Sequence, residues 1–182
     1  LLQYAATWPN AAITYYPSDM VYRFHSDASY LSEPKARSRA AGLHYLTNKG
    51  DNPPINGPIQ VVSQTLDVVV SSSCEAEYGT LYTNGRVGVT IRNTLADLGY
   101  PQEPTVGEVD NRIAVNLVND DAKQRRAKAN DMRYHWMRDR VRQEQFRIIW
   151  RAGTNNLADF PSKIHPTPHF LAVRPFYVSY PP

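Results

Sequence analysis

The sequence predicts a mixed α/β domain in which helices flank a five-stranded sheet. Two observations predict it. Runs that alternate or cluster β-branched and aromatic residues interleave with runs at helical spacing, in the order β-β-β-α-β-α-α-β-α. Carboxylates also fall where two strand runs end, Asp27 and Asp110, and near the start of the last helix, Asp159. The 182 residues suffice for one domain with a sizeable core plus flanking segments.

The elements follow in order. Leu1, Leu2, Tyr4 and Ala5 make a helix-like apolar patch, and Ala12 to Tyr16 reads as a short strand stopped by Pro17. Val21 to Asp27 is the first strand of the sheet. Ser38 to Leu46 is the second, with Gly42 in its middle. Asn48 to Pro58 is an Asn/Pro/Gly loop. Ile59 to Val70 is the third strand, including the run Val68-Val69-Val70. Ser71 to Glu75 then looks like a capped helix start. Leu81, Val87, Ile91, Leu95 and Leu98 carry that helix to Gly99, although Gly79, Gly85 and Gly88 invite a break. Pro104 to Asp110 is the fourth strand, Asn111 to Leu117 a short helix and Ala127 to Val141 a longer basic one. Phe146 to Trp150 is the fifth strand, and Asn155 to Lys163 a last short helix.

Composition narrows the function. Hydrophobic residues make up 42% of the chain, and no apolar run approaches a membrane span, so no membrane partner is expected. A single cysteine, Cys74, forms no internal disulfide and suits a reducing, intracellular setting. The chain opens Leu-Leu-Gln without an initiator Met and reads as a piece of a longer polypeptide. Net charge is only +3, but ten of the twenty Lys and Arg lie between Lys123 and Arg151, a field that attracts phosphates. Taken alone, that stretch would be a solvated helix face.

The acids carry more. Asp27 and Asp110 end strands, Glu77 lies in the first turns of the long helix, and Asp159 near the start of the last one. If the first and fourth strands are neighbours, all four converge on one rim of the sheet. Carboxylates packed together cannot all stay ionised without cations, and hard oxygen ligands suit Mg2+ or Mn2+. Two such ions form the usual device for in-line displacement at phosphorus.

Five blocks resemble the ribonuclease H domain of copia-type LTR retrotransposon Pol polyproteins. They are Ser26-Asp27-Ala28-Ser29-Tyr30 with Ser38 to Gly42; Ser72 to Tyr78; Val109-Asp110-Asn111 with Ala114; Asp131 to His135; and Asn156-Leu157-Ala158-Asp159 with Lys163. They stand in the family's order across residues 21–163. The resemblance implies a ribonuclease H-like fold with the first three strands antiparallel. It implies two Mg2+ (Mn2+ may substitute) held by Asp27, Glu77, Asp110 and Asp159, which cut the RNA strand of RNA–DNA hybrids during reverse transcription. Asp27 would bridge both ions, Glu77 and Asp110 would hold the leaving-group side, and Asp159 the water side. Glu77 fits the family register, whereas Glu75, about 200° away around a helix, is read as supporting the helix N-terminus.

The same resemblance divides the chain into 1–20, the tail of a reverse transcriptase connection segment; 21–165, the ribonuclease H domain; and 166–182, a Pro-rich extension. It implies as partners a hybrid substrate and the reverse transcriptase domain of the same polyprotein, within a cytoplasmic virus-like particle. Lys123, Arg125, Arg126 and Lys128 are expected to touch hybrid phosphates, and Ser29, Asn84 and Asn111 the 2′-hydroxyls of the minor groove.

Departures accompany the matches. Lys128 is followed by Ala129 and Asn130 where plant-type relatives carry Lys-His. Gly153 to Asn156 offers none of the mobile histidines that bacterial relatives place before the last acidic helix. His165 and His169 could stand in, but two histidines in a Pro-rich tail are more simply surface or packing residues. Trp136, Tyr134, Met137 and Trp150 read as core, His25 as structural or as touching the site. Two rival functions remain: an integrase-like enzyme, which would close with Glu rather than Asp159, and a catalytically silent ribonuclease H-like scaffold bracing a reverse transcriptase.

Overall fold

A computed structural model describes residues 2–119 and 131–179. The elements are α1 (Leu2–Thr7), β1 (Val21–Glu33), β2 (Arg37–Thr47), β3 (Pro58–Thr65), α2 (Ser73–Asp97), β4 (Thr105–Val109), α3 (Arg112–Asn119), α4 (Asp131–Arg142), β5 (Phe146–Trp150), α5 (Asp159–Ser162) and α6 (Thr167–Val173). The five strands form one sheet in the order β3-β2-β1-β4-β5. β1, β2 and β3 pair antiparallel, whereas β1–β4 and β4–β5 are parallel. The mixed sheet expected from the sequence is therefore present, with β1 and β4 adjacent.

β1 occupies the middle of the sheet, and every residue from Tyr22 to Asp27 is buried. Burial on both faces is why its pattern is nearly continuous rather than cleanly alternating. One face, built on Tyr22 and Phe24 with Phe146 and Ile148, packs under α2 through Tyr78, Leu81 and Leu95, and under α4 through Met137. Each of these side chains contributes about 2 kcal/mol when fully buried. On the other face Leu43 and Tyr45 pack with Leu157, Val173 and Tyr177 from the C-terminal segment.

α2 runs unbroken for 25 residues through the glycines that invited a break. Close packing explains one of them, Gly85, and also Gly42 on the facing strand. A Cβ on Gly85 would overlap Met137 of α4, and one on Gly42 of β2 would overlap the Asn84 amide that α2 presses against the sheet. That approach allows Asn84 Nδ2 to donate to Ser26 Oγ (3.0 Å) and to the Ala41 carbonyl (2.9 Å). His44 Nε2 donates to Asn84 Oδ1 (3.2 Å) while its Nδ1 accepts from Tyr22 Oη (2.6 Å), a neutral tautomer. Burial agrees, holding the His44 pKa down at about 4.

Four expectations change. Ala12 to Tyr16 is not a strand: only Ala12 bridges, to Ser179. β3 stops at Thr65, and Leu66 and Val70 turn away to pack with Ala40 and Ala76 beneath α2. The last helix is shorter than Asn155 to Lys163, with a single 3-10 turn at Gly153–Asn155 before α5. Trp150 is not core. It is 42% exposed, with Arg112 stacked over its ring at 4.1 Å.

The flanking segments meet each other. Arg174, buried, stacks on Tyr4 (5.0 Å) and Trp8 (4.1 Å) and donates from Nε to the Tyr4 hydroxyl (2.8 Å). Thr14 and Ser179 hydroxyls hydrogen-bond alongside.

Candidate metal centre on the sheet rim

Parallel pairing of β1 and β4 sets Ser26 opposite Val109, so the next residues, Asp27 within β1 and Asp110 just past the end of β4, stand side by side. α2 supplies the third acid. Ser72 caps this helix by accepting from the Glu75 amide (3.2 Å), and Glu75 in turn accepts from the Ser71 hydroxyl (2.7 Å). Glu75 thus serves the helix start, as its position implied. Glu77, one half-turn on, faces the sheet and accepts the Ala28 amide through Oε1 (3.2 Å). Asp27, Glu77 and Asp110 each present a carboxylate oxygen such that all three lie within 4.8 Å of one another.

Asp27 and Glu77 are 3% and 6% exposed. Burial, reinforced by the neighbouring Asp110 and Asp159 charges, lifts the Asp27 carboxyl from its usual 3.8 to about 6. Burial and the Asp27 and Asp110 charges push Glu77 well above the ordinary range, and burial and Asp159 raise Asp110. Asp27 Oδ2 and Glu77 Oε2 are buried with no hydrogen-bond donor. Two orphaned carboxylate oxygens beside a third carboxylate are what a hard divalent cation satisfies. The residues present fit Mg2+ or Mn2+.

Around Asp110 the backbone is pinned: Trp150 Nε1 donates to its carbonyl (2.9 Å). Gly153 sits against its carboxylate, where an added Cβ would lie 3.0 Å from Oδ2.

Asp159 arrives on the loop after β5, which is fastened to β1. Asn156 Nδ2 donates to the Ser26 carbonyl (2.8 Å), and the Leu157 amide donates to His25 Nδ1 (3.1 Å). His25 Nε2 faces Glu108 Oε2 (3.4 Å) and the Tyr45 hydroxyl (3.2 Å), and Glu108 is ion-paired with Arg151. Burial and the Arg151 and Arg23 charges hold His25 down at about 3, so the ring stays neutral and keeps accepting through Nδ1. His25 therefore does not join the acids; it ties the Asp159 loop to the strand carrying Asp27. The sequence reading missed Glu108, Arg151 and Asn156 in this role. A buried acid opposite a histidine is visible only once the register is known.

Asp159 stands beside the other acids without entering their trio. Its carboxylate is ion-paired with Lys163 and groups instead with His165 and His169. Its charge still raises Asp27 and Asp110.

Asn84 is fully buried, with its amide spent inside the fold, and so does not face a groove-bound hybrid. Asn111 uses Oδ1 to cap α3, accepting the Ile113 (3.0 Å) and Ala114 (3.1 Å) amides. Ser29 is half-buried near the end of β1. Lys123, Arg125, Arg126 and Lys128 lie outside the described residues.

No family model matches this chain. Over 170 residues it is 26% identical to the retrovirus-related Pol polyprotein from transposon TNT 1-94 of Nicotiana tabacum. That match takes in 93% of this chain and spans about 12% of the polyprotein's length. Among solved structures it is similar to LC11-RNase H1 from compost, with a TM-score of 0.54, 11% identity and coverage of 78% of this chain and 92% of that one. The same enzyme in complex with an RNA/DNA hybrid gives a TM-score of 0.50, 11% identity and coverage of 76% and 91%. Sheet order and these structural matches show a ribonuclease H fold, and the sequence is similar to part of a retrotransposon Pol polyprotein.

Proposed function

We propose that the chain is an active ribonuclease H that hydrolyses the RNA strand of RNA–DNA hybrids during reverse transcription. The observation that carries this reading is the trio Asp27, Glu77 and Asp110, with two buried carboxylate oxygens left without a donor. A folded protein keeps such repulsion where a ligand relieves it, and structural acids are ordinarily paired. LC11-RNase H1 has been solved with an RNA/DNA hybrid, which supports the same substrate class here.

Asp27, Glu77, Asp110 and Asp159 would hold two divalent ions, which activate a water and stabilise the leaving oxygen when bound. Asp27, central among the acids, would be shared between them. Glu77 is fixed by the Ala28 amide, Asp110 by Trp150, and Asp159 by the His25 and Asn156 bonds, so the chain supplies a pre-positioned oxygen set. Lys163, ion-paired with Asp159, would help hold that carboxylate in place. Lys123, Arg125, Arg126 and Lys128 would contact hybrid phosphates, and Ser29 and Asn111 the RNA strand. In this reading the domain works beside the reverse transcriptase of its own polyprotein, in a cytoplasmic virus-like particle. Among the described residues no helix is long and apolar enough to cross a membrane.

The test is cleavage of a labelled hybrid with Mg2+ by wild type and Asp110→Asn. Cutting by wild type alone supports the enzyme. Equal background in both assigns the chain to the silent scaffold. Charge reversal from Lys123 to Lys128 should weaken hybrid binding and flatten its salt dependence, and an unchanged slope removes that contact.

A further inference from the structure

The trio of acids is not the only group of ligating side chains. Asp159, His165 and His169 also bring one donor atom each within 4.8 Å of one another. His165 Nε2 lies 3.5 Å and His169 Nε2 3.9 Å from Asp159 Oδ2. The geometry points to a second metal site here, for a borderline transition ion such as Zn2+ or Co2+, that shares Asp159 with the acid cluster.

Distances decide between a metal site and a chance stack. Zinc held tetrahedrally at 2.0–2.1 Å from each ligand spaces its donors about 3.4 Å apart. The 3.5 and 3.9 Å separations lie close to that value and are too long for hydrogen bonds, so the two nitrogens are grouped on one carboxylate oxygen without being bonded to it. Lys163 is paired with Asp159 Oδ1, which leaves Oδ2 for the ion. His165 is already held in place. Its ring stacks on Phe160 (5.8 Å, 8° between planes), and its Nε2 lies 2.9 Å from the Asp159 carbonyl, a bond that coordination would replace. His169, in the first turn of α6 with its side chain 42% exposed, has the freedom to close the last few tenths of an ångström. Its ring lies 4.3 Å from that of His165.

Donor chemistry separates the two centres. Asp27, Glu77 and Asp110 offer only oxygen and suit Mg2+ or Mn2+, whereas two imidazoles and one carboxylate suit Zn2+, Co2+ or Ni2+. Phenylalanine would serve the stack with Phe160 equally well, and the Asp159 carbonyl accounts for one nitrogen. Neither explains the approach of a nitrogen from each ring to Asp159 Oδ2. Three protein ligands leave a coordination position for water or a phosphate oxygen. Occupation would engage Asp159 and compete with its proposed use beside the trio. That last consequence, unlike the binding itself, rests on the proposed function.

Co2+ is the probe, because its visible absorption reports low-coordinate nitrogen ligation without substrate or turnover. It would be titrated into the metal-free full chain as wild type, as Asp27→Asn, and as the double variant His165→Phe with His169→Phe, which keeps the ring stack. Wild type and Asp27→Asn should each bind one equivalent with an intense band. The double variant should lose that band, with affinity weakened by more than about a hundredfold, beyond the scale of outer-shell changes. Its circular dichroism and its Mg2+-induced rise in melting temperature should match wild type. No band in wild type, or an equal band in the double variant, overturns the site. A wild type that binds Co2+ but never cuts hybrid would sink the nuclease reading and leave this site standing. Zn2+ should also inhibit Mg2+-dependent cutting by wild type more strongly than by the double variant; equal inhibition overturns the sharing of Asp159.

Discussion

Two buried acids on neighbouring strands meet opposite fates. Glu108 of β4 is fully buried, paired with Arg151 and faced by His25, and this network fastens the Asp159 loop. Asp27 of β1 is almost as buried, yet its company is two further carboxylates, Glu77 and Asp110. Charge is neutralised inside the fold at the first and left to an outside cation at the second. The difference separates acids that build the domain from acids that work in it.

The largest expected effect divides the two by activity. Asp27→Asn or Asp110→Asn should lower hybrid cleavage by at least about a thousandfold, roughly 4 kcal/mol in the barrier, with circular dichroism unchanged. Glu108→Gln should instead act on stability, lowering it by about 3 kcal/mol in urea unfolding, because Arg151 is left without its carboxylate. A Glu108→Gln protein as stable as wild type would break the comparison.

pH should press on the two regions in opposite directions. Asp27 is lifted from 3.8 to about 6, so the folded state binds more protons than the unfolded one between those values. Stability of the metal-free protein then falls as pH rises through that window, by roughly 2–3 kcal/mol from this group. Asp27→Asn should therefore melt above wild type at pH 7 in chelator, and the gap should close below pH 4. His25 is held at about 3, below its usual 6.5, so the unfolded chain binds the extra proton. Its contribution is complete above the usual value and is lost as pH falls toward 3. Melting curves of wild type and Asp27→Asn across this range check both signs. Linkage acts on a similar scale: Mg2+ at a hundred times its Kd should add about 2.7 kcal/mol to wild type and to Glu108→Gln, and nothing to Asp27→Asn.

The sequence made the sheet legible because its patterns change period cleanly. Phe146 to Trp150 is a strand as read, whereas the strand that begins at Val21 runs past Asp27 to Glu33. Val68-Val69-Val70 misled because β-propensity reflects a pleated, half-covered surface, and here Val70 packs under α2 while Val69 is exposed. The glycines of α2 misled in the other direction, since their helix cost is outweighed by contacts across the chain that no local window contains. At the site, Asp27, Glu77 and Asp110 meet as the motifs implied. What the motifs could not show was the set of fasteners, His25, Glu108, Arg151 and Asn156, because their partners are 83 to 132 residues apart or set by strand register. Nor could they show Asp159 turned toward two histidines of the tail.

The most direct measurement is anomalous scattering from crystals soaked in Mn2+. The account predicts a manganese peak bound by Asp27, Glu77 and Asp110, absent from Asp27→Asn crystals soaked identically. Well-diffracting wild-type crystals with manganese elsewhere, and none among those three carboxylates, would contradict it.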